Sequence, residues 1–206
     1  MKHLIITIGR QLGSGGRQIG KHLAEQLKLS YYDRELISIA SRESGLSKEF
    51  FEQADEKKKR SLFGSLFGSG ASLMSGDFQS DSYLSDETLF LIQSDVVRNL
   101  AEQSSCVFVG RCADYILRDN PHCLNIFISA DIEDRIHRVS EFAQVPPEKA
   151  KDIIRRTDKK RAEYYNFYTN KEWGVAKSYH LCINSSLLGE TETIAYIIKY
   201  VQAFKG

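Results

Sequence analysis

The segment Gly9-Arg10-Gln11-Leu12-Gly13-Ser14-Gly15-Gly16-Arg17 constrains this chain more than any other. It stands directly between an apolar run at 4–8 and a stretch of helical period at 17–27, where Ile19, Leu23, Ala24 and Leu27 share a face. A strand that passes into a helix through glycines is what a phosphate-binding loop needs. Without Cβ atoms in the way, backbone N–H groups can converge on an anion, and the end of the following helix adds partial positive charge. The residues placed to do this are Arg10, Gly13, Ser14, Gly15, Gly16, Arg17 and Gln18. The competing reading is a tight turn that only packs. The loop also departs from the G-x-x-x-x-G-K-[ST] pattern, which wants a lysine after its last glycine. Here Gly15 is followed by Gly16 and then Arg17-Gln18, so Arg17 or Arg10 must supply the charge. An arginine can neutralise phosphate bidentately, but it is not equivalent to lysine's point charge.

Further apolar runs at 30–32, 107–109, 124–129 and 181–184 read as strands, and 192–204 places Ile194, Ile197, Ile198 and Val201 on one helical face. Strands alternating with helices predict an α/β fold with a parallel sheet buried between helices, and ligands beyond the carboxyl ends of the strands. With 28 Lys+Arg against 27 Asp+Glu, the chain has no global field to draw it onto nucleic acid or an anionic membrane, so any anion site must be local. No run approaches the roughly 20 apolar residues of a membrane span. The opening run is too short for a signal peptide, and the expectation is a cytoplasmic protein. Cys106, Cys112, Cys123 and Cys182 show no C-x-x-C spacing, and they read as free thiols in a reducing compartment.

Residues 61–80 interrupt the alternation. They are rich in Gly and Ser yet hold Leu62, Phe63, Leu66, Phe67, Leu73 and Met74, which a pure spacer would not carry. This segment is either a lid that packs on closure or a contact between copies in a homo-oligomer. Two later helical stretches concentrate positive charge: 131–142 with Arg135 and Arg138, and 147–173 with Arg155, Arg156, Lys159, Lys160 and Arg161. The second is a solvated face or a lid. His137 reads as a surface residue, and the aromatic group Tyr164, Tyr165, Phe167, Tyr168 and Trp173 as a packing stripe.

Several motifs together resemble the cytidylate kinase-like family. These are Ile6-Thr7-Ile8, Gly13-Ser14-Gly15-Gly16-Arg17, Leu23-Ala24-Glu25-Gln26-Leu27, Tyr31-Tyr32-Asp33, Val109-Gly110-Arg111-Cys112-Ala113-Asp114, and Asn125 to Ala130 followed by Asp134-Arg135-Ile136-His137-Arg138. The likeness spans nearly the whole chain and is weakest at 45–85. It implies a three-layer P-loop kinase fold: a five-stranded parallel sheet between helices, in a single domain over 1–206. An acceptor-side helical insertion is expected at about 34–105 and a lid at about 139–176. The resemblance implies that Arg111 contacts the acceptor, that Arg156 and Arg161 close over the transferring phosphoryl group, and that Asp33 serves acceptor, metal or water. Gly16 stands where such kinases have their loop lysine, and Cys112 where they have an aspartate, which leaves Asp114 as a substitute.

The function so implied is transfer of the ATP γ-phosphoryl group, with Mg2+, to CMP, dCMP or a similar small acceptor. Arg17, Asp33, Arg111, Arg156 and Arg161 would be catalytic, and Asp33, Arg111 and Asp114 would bind the acceptor. No residue is assigned as a direct metal ligand. Phosphoryl transfer asks for positioning and charge neutralisation, which a glycine loop and converging arginines provide. The alternative is a nucleotide-binding regulatory or oligomeric protein that has lost catalysis along with the lysine.

Overall fold

Strand β1 (Ile5–Arg10) is the centre of the molecule. It pairs in parallel with β3 (Cys106–Val109) on one side and β4 (Cys123–Ser129) on the other, with Ile5 opposite both Cys106 and Cys123. The computed structural model describes residues 3–33 and 86–204. The expected acceptor-side insertion lies mostly, and the segment 61–80 entirely, outside the described residues. The chain divides into two compact units, Met1–Glu35 with Val97–Gly206, and Leu36–Val96. The whole sheet and the residues lining the cavities described below belong to the first unit. Of the second, the described part is 86–96, the opening turns of a helix.

The described helices are α1 (Gly16–Leu27), α2 (Asp86–Gln103), α3 (Ala113–Ile116), α4 (Ile132–Ala143), α5 (Pro147–Thr169) and α6 (Ser185–Ala203). With β2 (Ser30–Tyr32) and β5 (Leu181–Asn184) the sheet has five parallel strands in the order β2-β3-β1-β4-β5. This bears out the α/β, five-stranded parallel reading of the sequence. The interior strands are continuously apolar because a parallel sheet covered on both faces has no wet side. Ile5, Ile6, Ile8, Val107, Val109, Leu124, Ile126 and Ile128 are all essentially inaccessible. Each such side chain contributes about 1.5–3 kcal/mol relative to exposure. One face of the sheet packs against Ile19, Leu23 and Ala24 of α1 and against Ile194, Ile197 and Val201 of α6.

Two features of this frame position the site. The connections from β1 to β2 and from β3 to β4 leave on opposite sides of the sheet, which opens a crevice beyond the carboxyl ends of β1 and β3. Strand β1 also outruns β3, since Ile8 pairs with Val109 while Gly9 and Arg10 go on to pair with Phe127 and Ile128. Arg10 therefore stands at the lip of that crevice. Above it, α4 and α5 pack as a pair through Val139, Ala150 and Ile154, with Leu12 of the glycine loop against them. Among the described residues no helix is long and apolar enough to cross a membrane.

Candidate active site

The glycine loop is held in shape from outside. Gly13 and Gly15 adopt φ of +79° and +75°, a left-handed backbone that glycine reaches without a Cβ penalty. Leu12 N–H donates to Asp158 Oδ1 at 2.8 Å, and Asp158 also pairs with Arg135, whose Nε donates to the Leu12 carbonyl at 2.7 Å. Arg138 Nη1 donates to the Gly13 carbonyl at 2.9 Å and Ser185 Oγ to the Ser14 carbonyl at 2.7 Å. Arg161 Nη1 donates to the Arg10 carbonyl at 3.0 Å. The loop's outward carbonyls and the Leu12 N–H are thus occupied by α4, α5 and α6. The first turn of α1 meanwhile walls a cavity of about 690 Å³, into which Gly13, Ser14, Gly15, Gly16, Arg17 and Gln18 face. A helix start leaves N–H groups without intrahelical acceptors, so this wall suits an anion.

A second cavity, of about 430 Å³, opens beyond the ends of β1 and β3 and includes Arg111, Asp114, Lys160, Tyr164 and Trp173 in its lining. Arg10 and Arg161 line both cavities, so the two adjoin across a pair of arginines. At its rim Gly110, Arg111 and Cys112 take φ of +83°, +59° and +54° in succession. Left-handed conformation at consecutive non-glycine residues is strain that the surroundings must enforce, and it is typical of functional sites. It places the Arg111 guanidinium 5.8 Å over the Tyr164 ring and leaves Arg111 Nε buried without a hydrogen-bond partner. A buried donor of this kind calls for an acceptor. Asp114 lies buried, accepting from Tyr165 Oη at 2.7 Å. Burial raises its carboxyl above the ordinary range, opposed by the Tyr165 hydrogen bond and the Lys171 charge. Burial also pushes the Cys112 thiol up to about 12, which keeps it a neutral packing group.

The sequence-derived candidates separate into groups. Arg10, Arg111, Asp114 and Arg161 line the second cavity, and Asp33 lines the first, beside Arg17. Arg17 Nε donates to Asp33 Oδ2 at 2.9 Å with its side chain 57% exposed, whereas Asp33 is buried. Arg156 lies exposed on α5 and lines neither cavity, because one residue's turn from Thr157 carries it off the cavity-facing stripe of Thr157, Arg161 and Tyr164. Sequence reasoning missed Asp158, hidden as one acid in a basic run, and underrated Arg135 and Arg138, whose spacing of three was the available signal. It favoured a packing stripe over a base-stacking platform for the aromatic group and singled out Tyr168 and Trp173, whereas Tyr164, Tyr165 and Trp173 line the second cavity. Cys106, Cys112 and Cys123 are buried and Cys182 exposed, all four as free thiols.

Among the described residues the donor set suits a magnesium ion that arrives on a phosphate. Among the described residues no group of three or more His, Cys, Asp or Glu side chains could hold a metal, and Asp33 is the buried carboxylate in the loop cavity. Mg2+ keeps several waters and binds through one or two carboxylates plus substrate phosphates, which such a site allows.

A parallel sheet of this order, with a glycine loop after its central strand and arginines over two adjoining cavities, defines the chain as a kinase-like P-loop protein. The family model of the cytidylate kinase-like family matches residues 5–187, and the chain belongs to that family. Among solved structures, an uncharacterized protein from Eubacterium ventriosum is 29% identical with a TM-score of 0.72, over 98% of this chain and 99% of that one. Shikimate kinase from Bacteroides thetaiotaomicron shares the fold at 13% identity and a TM-score of 0.51, covering 97% and 98%. Shikimate kinase from Acinetobacter baumannii, in complex with shikimate, does so at 14% and 0.50, covering 98% and 95%. No curated protein matches the sequence.

Proposed function

We infer that this chain transfers the γ-phosphoryl group of ATP to a small acceptor, with CMP and dCMP foremost among the candidates. The observation that carries the reading is the meeting of two cavities at Arg10 and Arg161. One is walled by the glycine loop and suits a triphosphate. The other holds Arg111, with its unpartnered Nε, and the buried Asp114, and suits an acceptor bearing both an anionic group and a hydrogen-bonding one. A phosphoryl group crossing from one to the other passes the two arginines.

The chain's task is then positioning and neutralisation. The bond between the γ-phosphorus and the ADP oxygen breaks as an acceptor oxygen bonds to that phosphorus, with charge spread over the equatorial oxygens. Arg10 and Arg161, joined by the Arg161 hydrogen bond to the Arg10 carbonyl and lining both cavities, stabilise that charge with groups already in place. Arg111 fixes the acceptor's anion. Mg2+, when it arrives with the nucleotide, supplies further charge neutralisation, and Asp33 is placed to hold its water shell.

The reading is tested by ADP release from ATP and Mg2+ across the common nucleoside monophosphates, with shikimate, the ligand of a structural neighbour, as an added acceptor. Acceptor-dependent turnover, highest with CMP or dCMP, is expected. ATP binding without turnover on any acceptor would overturn the transfer reading in favour of a nucleotide-binding regulatory role.

A further inference from the structure

The G-x-x-x-x-G-K-[ST] frame, laid with its second glycine on Gly15, puts its first glycine on Arg10 and its lysine on Gly16. The chain carries the pattern with its ends exchanged: a cation where a glycine belongs, and a glycine where the cation belongs. The packing shows how the two changes depend on each other. A Cβ on Gly16 would stand 2.6 Å from Arg10 Cβ, 3.2 Å from Arg10 Cγ and 3.3 Å from Ile128 Cβ. The stem of Arg10 therefore fills the volume that a side chain at 16 would need. Its guanidinium then runs to Gly110, where a Cβ would collide with Arg10 Nη1. Lying across the site between these two glycines, Arg10 lines both cavities, and its own carbonyl is fixed by Arg161. The other candidate cation, Arg17, is held against Asp33 at the rim.

We propose that Arg10 and Gly16 are a reciprocal exchange, in which Arg10 supplies from the strand side of the loop the phosphate-facing cation that a loop lysine supplies from the helix side. Gly16 is side-chain-free so that the Arg10 stem can lie across the site, whereas Gly110 is already required by its φ of +83°. The proposal rests on the transfer reading only for the nature of the anion, a nucleoside triphosphate. Burial first, and then the nearby Arg161, hold the Arg10 guanidinium down to about 10, with Tyr31 and Asp33 opposing. It is still charged at neutral pH, but it sits among cations that an incoming anion would relieve.

The experiment measures ATP dissociation constants by calorimetry for the wild type, Arg10→Ala, Gly16→Lys and the double variant R10G/G16K, with thermal unfolding of each alongside. Charge-assisted contacts of about 1.5–3 kcal/mol predict that Arg10→Ala weakens ATP binding roughly 10- to 100-fold. Gly16→Lys should also weaken binding although it adds a charge, because its stem meets that of Arg10. The double variant should bind more tightly than either single one. Wild-type affinity in Arg10→Ala, affinity at or above wild type in Gly16→Lys, or a double variant no better than the better single one would each overturn the exchange. Should Gly16→Lys fail to fold, Gly16→Ala reads the same coupling, and its loss of thermal stability should be smaller in an Arg10→Gly background, which removes the Cβ that a side chain at 16 meets. Equal losses in both backgrounds would overturn the proposal. The two readings fail separately: a wild type that binds ATP but transfers to no acceptor sinks the transfer reading alone. Full turnover by Arg10→Ala sinks the exchange alone, and a wild type that binds no ATP sinks both.

Discussion

Asp158 anchors the glycine loop from helix α5. It accepts the Leu12 N–H, pairs with the buried Arg135 and stands 3.8 Å from Arg161 Nη1. Removing one partner of such a pair leaves an uncompensated charge indoors, so Asp158→Ala should lower unfolding free energy by about 3 kcal/mol or more. Urea denaturation with an unchanged m-value would register it. The arginines on the same helix divide by direction. Arg161 lines both cavities, whereas Arg156 lies exposed and lines neither. Steady-state kinetics should therefore find turnover reduced on the order of 10²-fold in Arg161→Ala, in line with loss of one preorganised donor. Arg156→Ala should stay near wild type, beside Arg155→Ala, whose exposed pair with Asp152 contributes little. Comparable losses at 156 and 161 would mean that α5 presents a different face during turnover.

At the scale of the element, helix α5 (Pro147–Thr169) joins the loop to the second cavity. Asp158 and Arg161 meet the loop, and one or two turns on Tyr164 and Tyr165 wall the cavity, a spacing that keeps them on adjoining faces. The contact between Tyr165 Oη and Asp114 makes this junction sensitive to pH. Burial raises the Asp114 carboxyl in the folded chain above its ordinary 3.8, so the folded state holds the proton more tightly than the unfolded one. The stability this gives is fully present below 3.8 and is lost as pH rises through the higher folded value. The Tyr165 hydrogen bond offsets part of that loss by favouring the carboxylate. Tyr165→Phe should therefore destabilise more at pH 7 than at pH 4, by about 1.5–3 kcal/mol for a hydrogen bond to a charged group. Unfolding midpoints at both pH values check this, and an Asp114→Asn background should remove the pH dependence of the difference.

Across the molecule, binding a triphosphate against the loop should stabilise the folded chain by mass action. At a ligand concentration about 100 times the dissociation constant the gain is about 2.7 kcal/mol. For a chain of 206 residues each kcal/mol moves the melting temperature by about 2–4 °C, so saturating ATP should raise it by roughly 5–10 °C. Calorimetric scans with ATP, with AMP and with neither separate triphosphate recognition from general nucleotide binding. An equal rise with AMP would mean that the loop does not hold the γ end of the ligand.

The strands, the glycine loop and the helix after it were legible in the sequence because each depends on local regularity. Apolar runs mark buried parallel strands, a period of 3.6 marks α1, and glycines mark left-handed backbone. Ser30–Tyr32 and Leu181–Asn184 coincide with their expected runs, and α6 differs mainly in starting earlier, at Ser185 with a break at Gly189. What neighbours each residue across the fold had no local signature. No spacing announces that Asp158 reaches Leu12, that Arg111 lies over Tyr164 with its Nε buried and unpartnered, or that α5 turns Arg161 inward and Arg156 outward. The sequence by itself determined that a glycine loop links the first strand of an α/β fold to its first helix. Only the tertiary structure decided which cations face that loop, because the packing of the Arg10 stem against Gly16 across the strand-to-helix turn is what leaves Arg10 the room to lie there.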